Sequence, residues 1–280
     1  MKLQEILSLR GLPIATTRII RNTINRDYIK EMISAGYFDL YQAVQKENKF
    51  KDSEYIVSFT DLEGTKSLLY GVFKVNGVKD ILNLPDEVAA IKEPEKWISG
   101  RYFQYNMERV DMLKDLEERL VIDWGKATIS WCQKDLNKEV VEILPHGFLK
   151  PFPGYQDVLL NFDELAKVIK NPNANRHWRI MLSNVCGVYL ILDKVSGQQY
   201  VGSAYGKEGV WGRWSTYIST KHGNNKILIE LLAQNEEKHK NFQFSILHVL
   251  PNSALKEDVI QLEGRVKEKL GSKVFGLNAN

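Results

Sequence analysis

Cysteine is almost missing from this 280-residue chain. Only Cys132 and Cys186 occur, in different halves, so neither a disulfide framework nor a cysteine zinc site is indicated. Long apolar runs are missing too. None approaches the ~18 residues needed to cross a bilayer, which argues against a membrane partner. The opening "MKLQEILSLRGLP" is too short and too charged between its leucines for a secretory h-region, so the expected location is a reducing cytoplasm. No internal repeat or low-complexity tract is visible. His248, Cys132 and Cys186 show no nucleophile–base spacing, which leaves covalent catalysis without support.

What remains is an ordinary globular composition, 44% hydrophobic and 26% charged, with room for one large or two medium domains. The net charge of +3 is unevenly spread. Residues 176–280 hold 14 Lys/Arg against 9 Asp/Glu, a net +5, and the rest hold 24 against 26, a net −2. The cationic C-terminal part favours an anionic partner such as nucleic acid.

Residues 1–48 read as helical, with Tyr28, Met32, Ile33, Leu40, Tyr41 and Val44 at three- and four-residue steps. From about residue 54 the chain turns to short strands rich in aromatic and β-branched residues, among them "EYIVSFTD", "SLLYGVFKV" and "RYFQYNM". The expectation is an α+β protein: a helical segment with a small β-barrel or curved sheet over residues 1–150, a proline-punctuated linker over 151–178, and a second domain over 179–280. There "GVYLILD" and "QQYVGSA" read as a hairpin. Two helices, the strand "NFQFSILHVL" and a last helix ending at Gly271 follow, giving a small mixed three-stranded sheet flanked by helices.

Three features of this last part carry chemistry. Glu263 sits inside the apolar stripe Leu255, Val259, Leu262, Val266 and Leu270, where a carboxylate is costly unless paired or bound to a metal. Arg213 and Tyr217, four apart, share a helix face with Val210 and Trp214, either as an arginine stacked on tryptophan or as a phosphate clamp. Tyr189 and Tyr200 share one face of the hairpin if its loop has two or four residues, as packing partners or as hydroxyls lining a site. Gly187 and Gly202 would leave space beside them. Carboxylate, arginine and phenol together suit phosphodiester hydrolysis, with the phenol's pKa lowered by nearby cations.

These elements resemble the GIY-YIG endonucleases. The paired tripeptides stand here as Gly187-Val188-Tyr189 and Tyr200-Val201-Gly202, followed by Arg213 with Tyr217, Glu263 on the last helix and Asn278 in "FGLNAN", over residues 183–280. The resemblance implies a nuclease domain cutting DNA, double-stranded, with one Mg²⁺ or Mn²⁺ held by Glu263. It also implies Tyr200 as general base with help from Lys207, Tyr189 hydrogen-bonding in the site, Arg213 on the phosphate and Asn278 in support. Products would carry 5′-phosphate and 3′-hydroxyl ends, and cutting both strands would favour a homodimer. His222 reads as a loop residue.

No motif is recognised over residues 1–150. Trp97, Tyr102, Phe103, Tyr105, Trp124 and Trp131 could stack on bases or fill a barrel core, and Arg18, Arg21 and Arg26 could follow a DNA backbone. A restriction or phage-defence enzyme, with sensing of modified bases as one form of it, is the leading expectation. A DNA-binding protein on a nuclease scaffold and a structure-specific repair nuclease remain open beside it.

Overall fold

A computed structural model describes residues 1–24, 26–91, 100–127 and 129–278, and it divides into two compact units, Met1–Leu144 and Pro145–Asn280. Trp97 lies outside the described residues. No described helix is long and apolar enough to cross a membrane.

The first unit holds helices α1 (Leu3–Leu9), α2 (Asp27–Ser34), α3 (Phe38–Ala43) and α4 (Asp86–Ala89). Its strands are β1 (Thr17–Asn22), β2 (Val44–Gln45), β3 (Tyr55–Asp61), β4 (Lys66–Ile81), β5 (Tyr102–Val110), β6 (Leu120–Asp123), β7 (Cys132–Gln133) and β8 (Val140–Ile143). They form one eight-stranded sheet in the order β2-β5-β4-β3-β1-β7, with β6 joining β4 to β8. β4 pairs along different stretches with β3, β5 and β6, and its pairing with β5 shifts between Val75 and Gly77. Such a bulge bends and twists a sheet, so the curved alternative is the one adopted.

One expectation for this unit needs correction: the first 48 residues are not helical throughout. Thr17–Asn22 is a central strand, parallel to β3 and antiparallel to β7, with Ile19 and Ile20 fully buried. Helical segments on either side hid it, and its β-branched pair packs only through partners distant in sequence. Tyr102, Tyr105 and Trp124 are core, whereas Trp131 is half-buried.

The second unit begins earlier than expected. The segment 151–178 supplies β9 (Leu159–Asn161), α5 (Phe162–Lys170) and the start of α6 (Arg176–Ser183). The proline-rich stretch before it is pinned to that unit: Trp178 Nε1 donates to the Lys150 carbonyl at 2.7 Å and Tyr155 Oη to that of Met181 at 2.9 Å. The remaining elements are β10 (Val185–Asp193), β11 (Gln199–Ala204), α7 (Gly209–Thr220), α8 (Lys226–Gln234), β12 (Phe242–Pro251) and α9 (Lys256–Leu270).

The sheet has four strands rather than three, in the order β11-β10-β12-β9, and each pairing is antiparallel rather than mixed. β9 is only three residues long, too short for its alternation to register in sequence. Caps set the helix starts: Asn161 accepts from the Glu164 N–H and Asn225 from that of Leu228.

Helices α5 to α8 bury residues such as Leu165, Trp178, Trp214 and Leu228 against one face of the sheet, together with Tyr189, Ile191 and Tyr200. α9 covers the other face, where Val266 and Leu262 meet Val188 and Val201. Its apolar stripe is narrower than the sequence spacing allows, because Leu255 and Leu270 are exposed.

Candidate active site

The register of the β10–β11 hairpin decides whether a site exists. Tyr189 pairs with Gly202 and Ile191 with Tyr200, across a loop of four residues between Asp193 and Gln198. Tyr189 and Tyr200 therefore point from the same face, with ring centroids 6.4 Å apart.

The two motif glycines do not open space for a ligand; both positions are filled. A Cβ on Gly202 would lie 2.4 Å from the Tyr189 hydroxyl and 2.8 Å from the Tyr200 ring. A Cβ on Gly187 would lie 2.1 Å from the His248 carbonyl oxygen, pressed there by a bulge opposite Val188 and Tyr189. The glycines admit a phenol and a backbone respectively. Gly202→Ala should accordingly cost about 1–3 kcal/mol through overpacking, although alanine is the better strand residue. Thermal unfolding of the full chain measures this, and an unchanged midpoint would show that Tyr189 has room to retreat.

α7 brings Arg213 and Tyr217 over this face. Arg213 Nε donates to Tyr189 Oη at 3.0 Å, Nη1 to the Gly223 carbonyl at 2.9 Å and Nη2 to Tyr217 Oη at 3.5 Å. The two phenols are 3.1 Å apart, and the guanidinium lies over the Tyr217 ring at 5.1 Å. Three of the five guanidinium N–H groups are thus committed, which leaves two for a ligand. The ring that Arg213 covers is thus Tyr217 rather than the tryptophan expected from the sequence, and the side chain also lines the cleft described below.

Burial sets the charge states. Tyr189 and Tyr217 are fully buried, and desolvation, together with the neighbouring phenols, pushes their pKa values well above the ordinary tyrosine value despite Arg213. Both are therefore neutral phenols at neutral pH. For Arg213 burial works against the charge, but the oxygens of Tyr189 and Tyr217 outweigh it and raise its pKa, so it is a permanent cation.

Glu263 reaches the site from the opposite face. Its Oε2 accepts from the Ser203 hydroxyl, and its Oε1 faces Lys267 Nζ at 2.7 Å, with the two side chains 14% and 11% exposed. A cleft of about 440 Å³ joins the two faces around β11. It is lined by Tyr200, Arg213, Glu263, Ser203, Glu208 and Thr216, among others.

β11 is an edge strand, which is why one cleft can reach both sides of it. Its outer edge is closed by the C-terminal segment. Asn278 accepts from Val201 N–H at 2.9 Å and donates to the Val201 carbonyl at 2.7 Å, while Leu277 N–H donates to Gln199. Asn278 is therefore a positioning residue that fixes the strand between Tyr200 and Gly202.

Lys207 does not join the cluster. It lies in the exposed loop between β11 and α7, where Glu208 lines the cleft instead. His222 is in a loop, its Nδ1 accepting from Asn224 N–H. Sequence reading missed Ser203, Glu208 and Lys267. Lys267 was legible, since it lies four residues after Glu263 on the same helix. Ser203 and Glu208 carry no such spacing.

The carboxylate fits a divalent cation of the Mg²⁺ kind. Among the described residues no three His, Cys, Asp or Glu side chains come together as a metal cage. Mg²⁺ commonly takes one or two carboxylates and completes its shell with water and phosphate oxygens. Glu263 still has lone pairs on both oxygens, and Glu208 borders the same cleft.

An arginine, a phenol and a carboxylate thus line one cleft around the edge strand of this α+β domain. Residues 185–278 match the family model described as the GIY-YIG catalytic domain, which is one third of the chain. The match lies wholly within the second unit, where the sequence resemblance also falls. Two solved structures are similar to it, each covering 34% of this chain with a TM-score of 0.28. One is the catalytic domain of the intron endonuclease I-TevI in a point-mutant form, 25% identical and covered over 94% of its length. The other is the catalytic domain of homing endonuclease I-TevI, 26% identical and covered over 98%. No curated protein matches the chain.

Proposed function

We propose that the protein is a divalent-metal-dependent DNA endonuclease of restriction or phage defence, in which the second unit cuts duplex DNA and the first selects the target. The observation that carries this reading is the single cleft holding Arg213, Tyr200 and Glu263 around β11. A pure binding module has no use for a half-buried carboxylate beside an arginine that would hold phosphate.

In the proposed reaction Arg213 places its two remaining N–H groups on the scissile phosphate, held there by the neutral Tyr189 and Tyr217 hydroxyls. Tyr200, the member of the phenol trio that reaches the cleft, acts as the base that takes the proton of the attacking water. The water oxygen forms the new P–O bond, the bond to the 3′-oxygen breaks, and the 3′-oxygen takes a proton from solvent. Glu263 would hold the Mg²⁺ or Mn²⁺ ion, with Glu208 at the same cleft. When bound, the ion supplies charge neutralisation on the phosphate. A homodimer would cut both strands.

The test is incubation of duplex plasmid and of phage genomes carrying different base modifications, with Mg²⁺, with Mn²⁺ and with a chelator. Cleavage should need the metal and leave ligatable 5′-phosphate and 3′-hydroxyl ends. Cleavage undiminished by chelator would refute the metal requirement. Indifference to every modification and to phage origin would remove the defence reading.

A further inference from the structure

A second cleft, of about 910 Å³, opens in the first unit. That is near the upper end of the ~300–1,000 Å³ typical of small-molecule sites. Four cations border it, Arg21, Arg26, Lys46 and Lys49, against one carboxylate, Glu47, which is tied to Lys49 at 2.6 Å. Three aromatic rings share the lining: Tyr28, Tyr41 and Trp131.

The walls are held in place from behind. Arg21 N–H donates to the Trp131 carbonyl at 2.7 Å, which fixes the half-buried indole beside the arginine, and Phe50 backs the ring edge-on at 6.3 Å. Arg26 Nη1 donates to Tyr28 Oη at 2.8 Å, and Tyr28 and Tyr41 stand 6.2 Å apart. Arg21 gives one N–H to the Gly64 carbonyl, but its buried Nε has no hydrogen-bond partner among the described residues. Asn22, also in the lining, is anchored through its amide nitrogen to the buried Gln42 at 3.0 Å, in a network that includes Ser58. Arg18 is not part of this wall; its Nε is spent on Ser53.

Anchored rings beside fixed cations match the two halves of a nucleotide. A ligand that is phosphate alone has no use for the rings, and an apolar ligand none for four cations. We infer that this cleft of the first unit receives one nucleotide of DNA extruded from the duplex. Its base stacks on Trp131 and the tyrosines, its edge faces Asn22, and the flanking phosphates lie on Arg21, Arg26 and Lys46. The inference rests on the first unit being the target-selecting part, and it says how that part selects. Extruding a base costs a few kcal/mol, least where pairing is already weak, and stacking on aromatic side chains offsets it.

The experiment uses the full chain carrying Glu263→Gln, so that DNA is bound but not cut. Labelled duplexes identical except for one central base pair, matched or mismatched, are titrated by fluorescence anisotropy. The mismatched duplex should bind about tenfold or more tightly. Trp131→Ala should erase that preference while leaving the matched-duplex affinity within about twofold. Arg26→Glu, an exposed change that tests the phosphate contacts without disturbing the core, should weaken binding to every duplex and flatten its salt dependence. No mismatch preference in the parent, or a preference that survives Trp131→Ala with native circular dichroism, overturns the cleft as a base site. If Trp131→Ala does not fold, an Arg26→Glu variant with unchanged affinity overturns it. Displacement of the duplex by an equal concentration of free deoxynucleoside monophosphate overturns DNA as the source. Loss of the base preference with a persistent Arg26 effect would leave target selection standing. Indifference of every duplex to both variants would remove target selection by this unit as well.

Discussion

Glu263→Gln is expected to abolish DNA cleavage while leaving the fold in place. Glutamine keeps the shape of the side chain and can still accept from Ser203, but it loses the charge that pairs Lys267 and would hold the metal. The transition state then loses several kcal/mol of charge stabilisation. At about 1.4 kcal/mol per decade, that is a fall of about three orders of magnitude in single-turnover rate. Stability should also fall, because the two side chains are only 14% and 11% exposed and Lys267 loses its carboxylate partner, although it has other interactions. Calorimetric titration with Mg²⁺ should show the loss independently of turnover. A variant cutting plasmid at the parental rate would refute the metal assignment, whatever its melting temperature.

Arg213→Lys is expected to be nearly as damaging as Arg213→Ala. The guanidinium serves three partners at once, Tyr189, Tyr217 and the Gly223 carbonyl, and in the proposed reaction a phosphate as well. A lysine ammonium is a point charge and cannot span that set. Turnover should drop about 10²–10³-fold, the usual cost of a transition-state donor, with DNA affinity changed only severalfold. Measuring kcat and Kd separately distinguishes this from a binding role, and a lysine variant with full kcat would show that positive charge alone suffices. Tyr189→Phe provides the structural comparison. It removes the Nε acceptor while Tyr217 and Gly223 still hold the guanidinium, so a smaller loss should follow.

The nuclease half was legible because its signals are charges in unlikely places. Arg213 and Glu263 interrupt apolar helical stripes, and the tripeptides recur at hairpin spacing. The alternating strand β12 and the helix caps at Asn161 and Asn225 also follow from local chemistry. What was hidden lies in pairings distant along the chain. β9 is three residues long, and β1 reads as part of a helical stretch until β3 and β7 flank it. The meaning of Gly202 was likewise hidden, because the group that fills its space is a side chain thirteen positions earlier on the neighbouring strand. Burial, which makes Tyr189 and Tyr217 neutral, cannot be read from their spacing at all.

The closure of β11 by Leu277 and Asn278 has a consequence for the order in which the protein comes to life. Synthesis delivers the tyrosines and Arg213 first, then the helix bearing Glu263, and the residues that clamp the edge strand after that. The carboxylate of Glu263 and the pairing of the edge strand therefore both come last in the order of synthesis. A chain ending before Leu277 would leave the outer edge of β11 unpaired beside Tyr200.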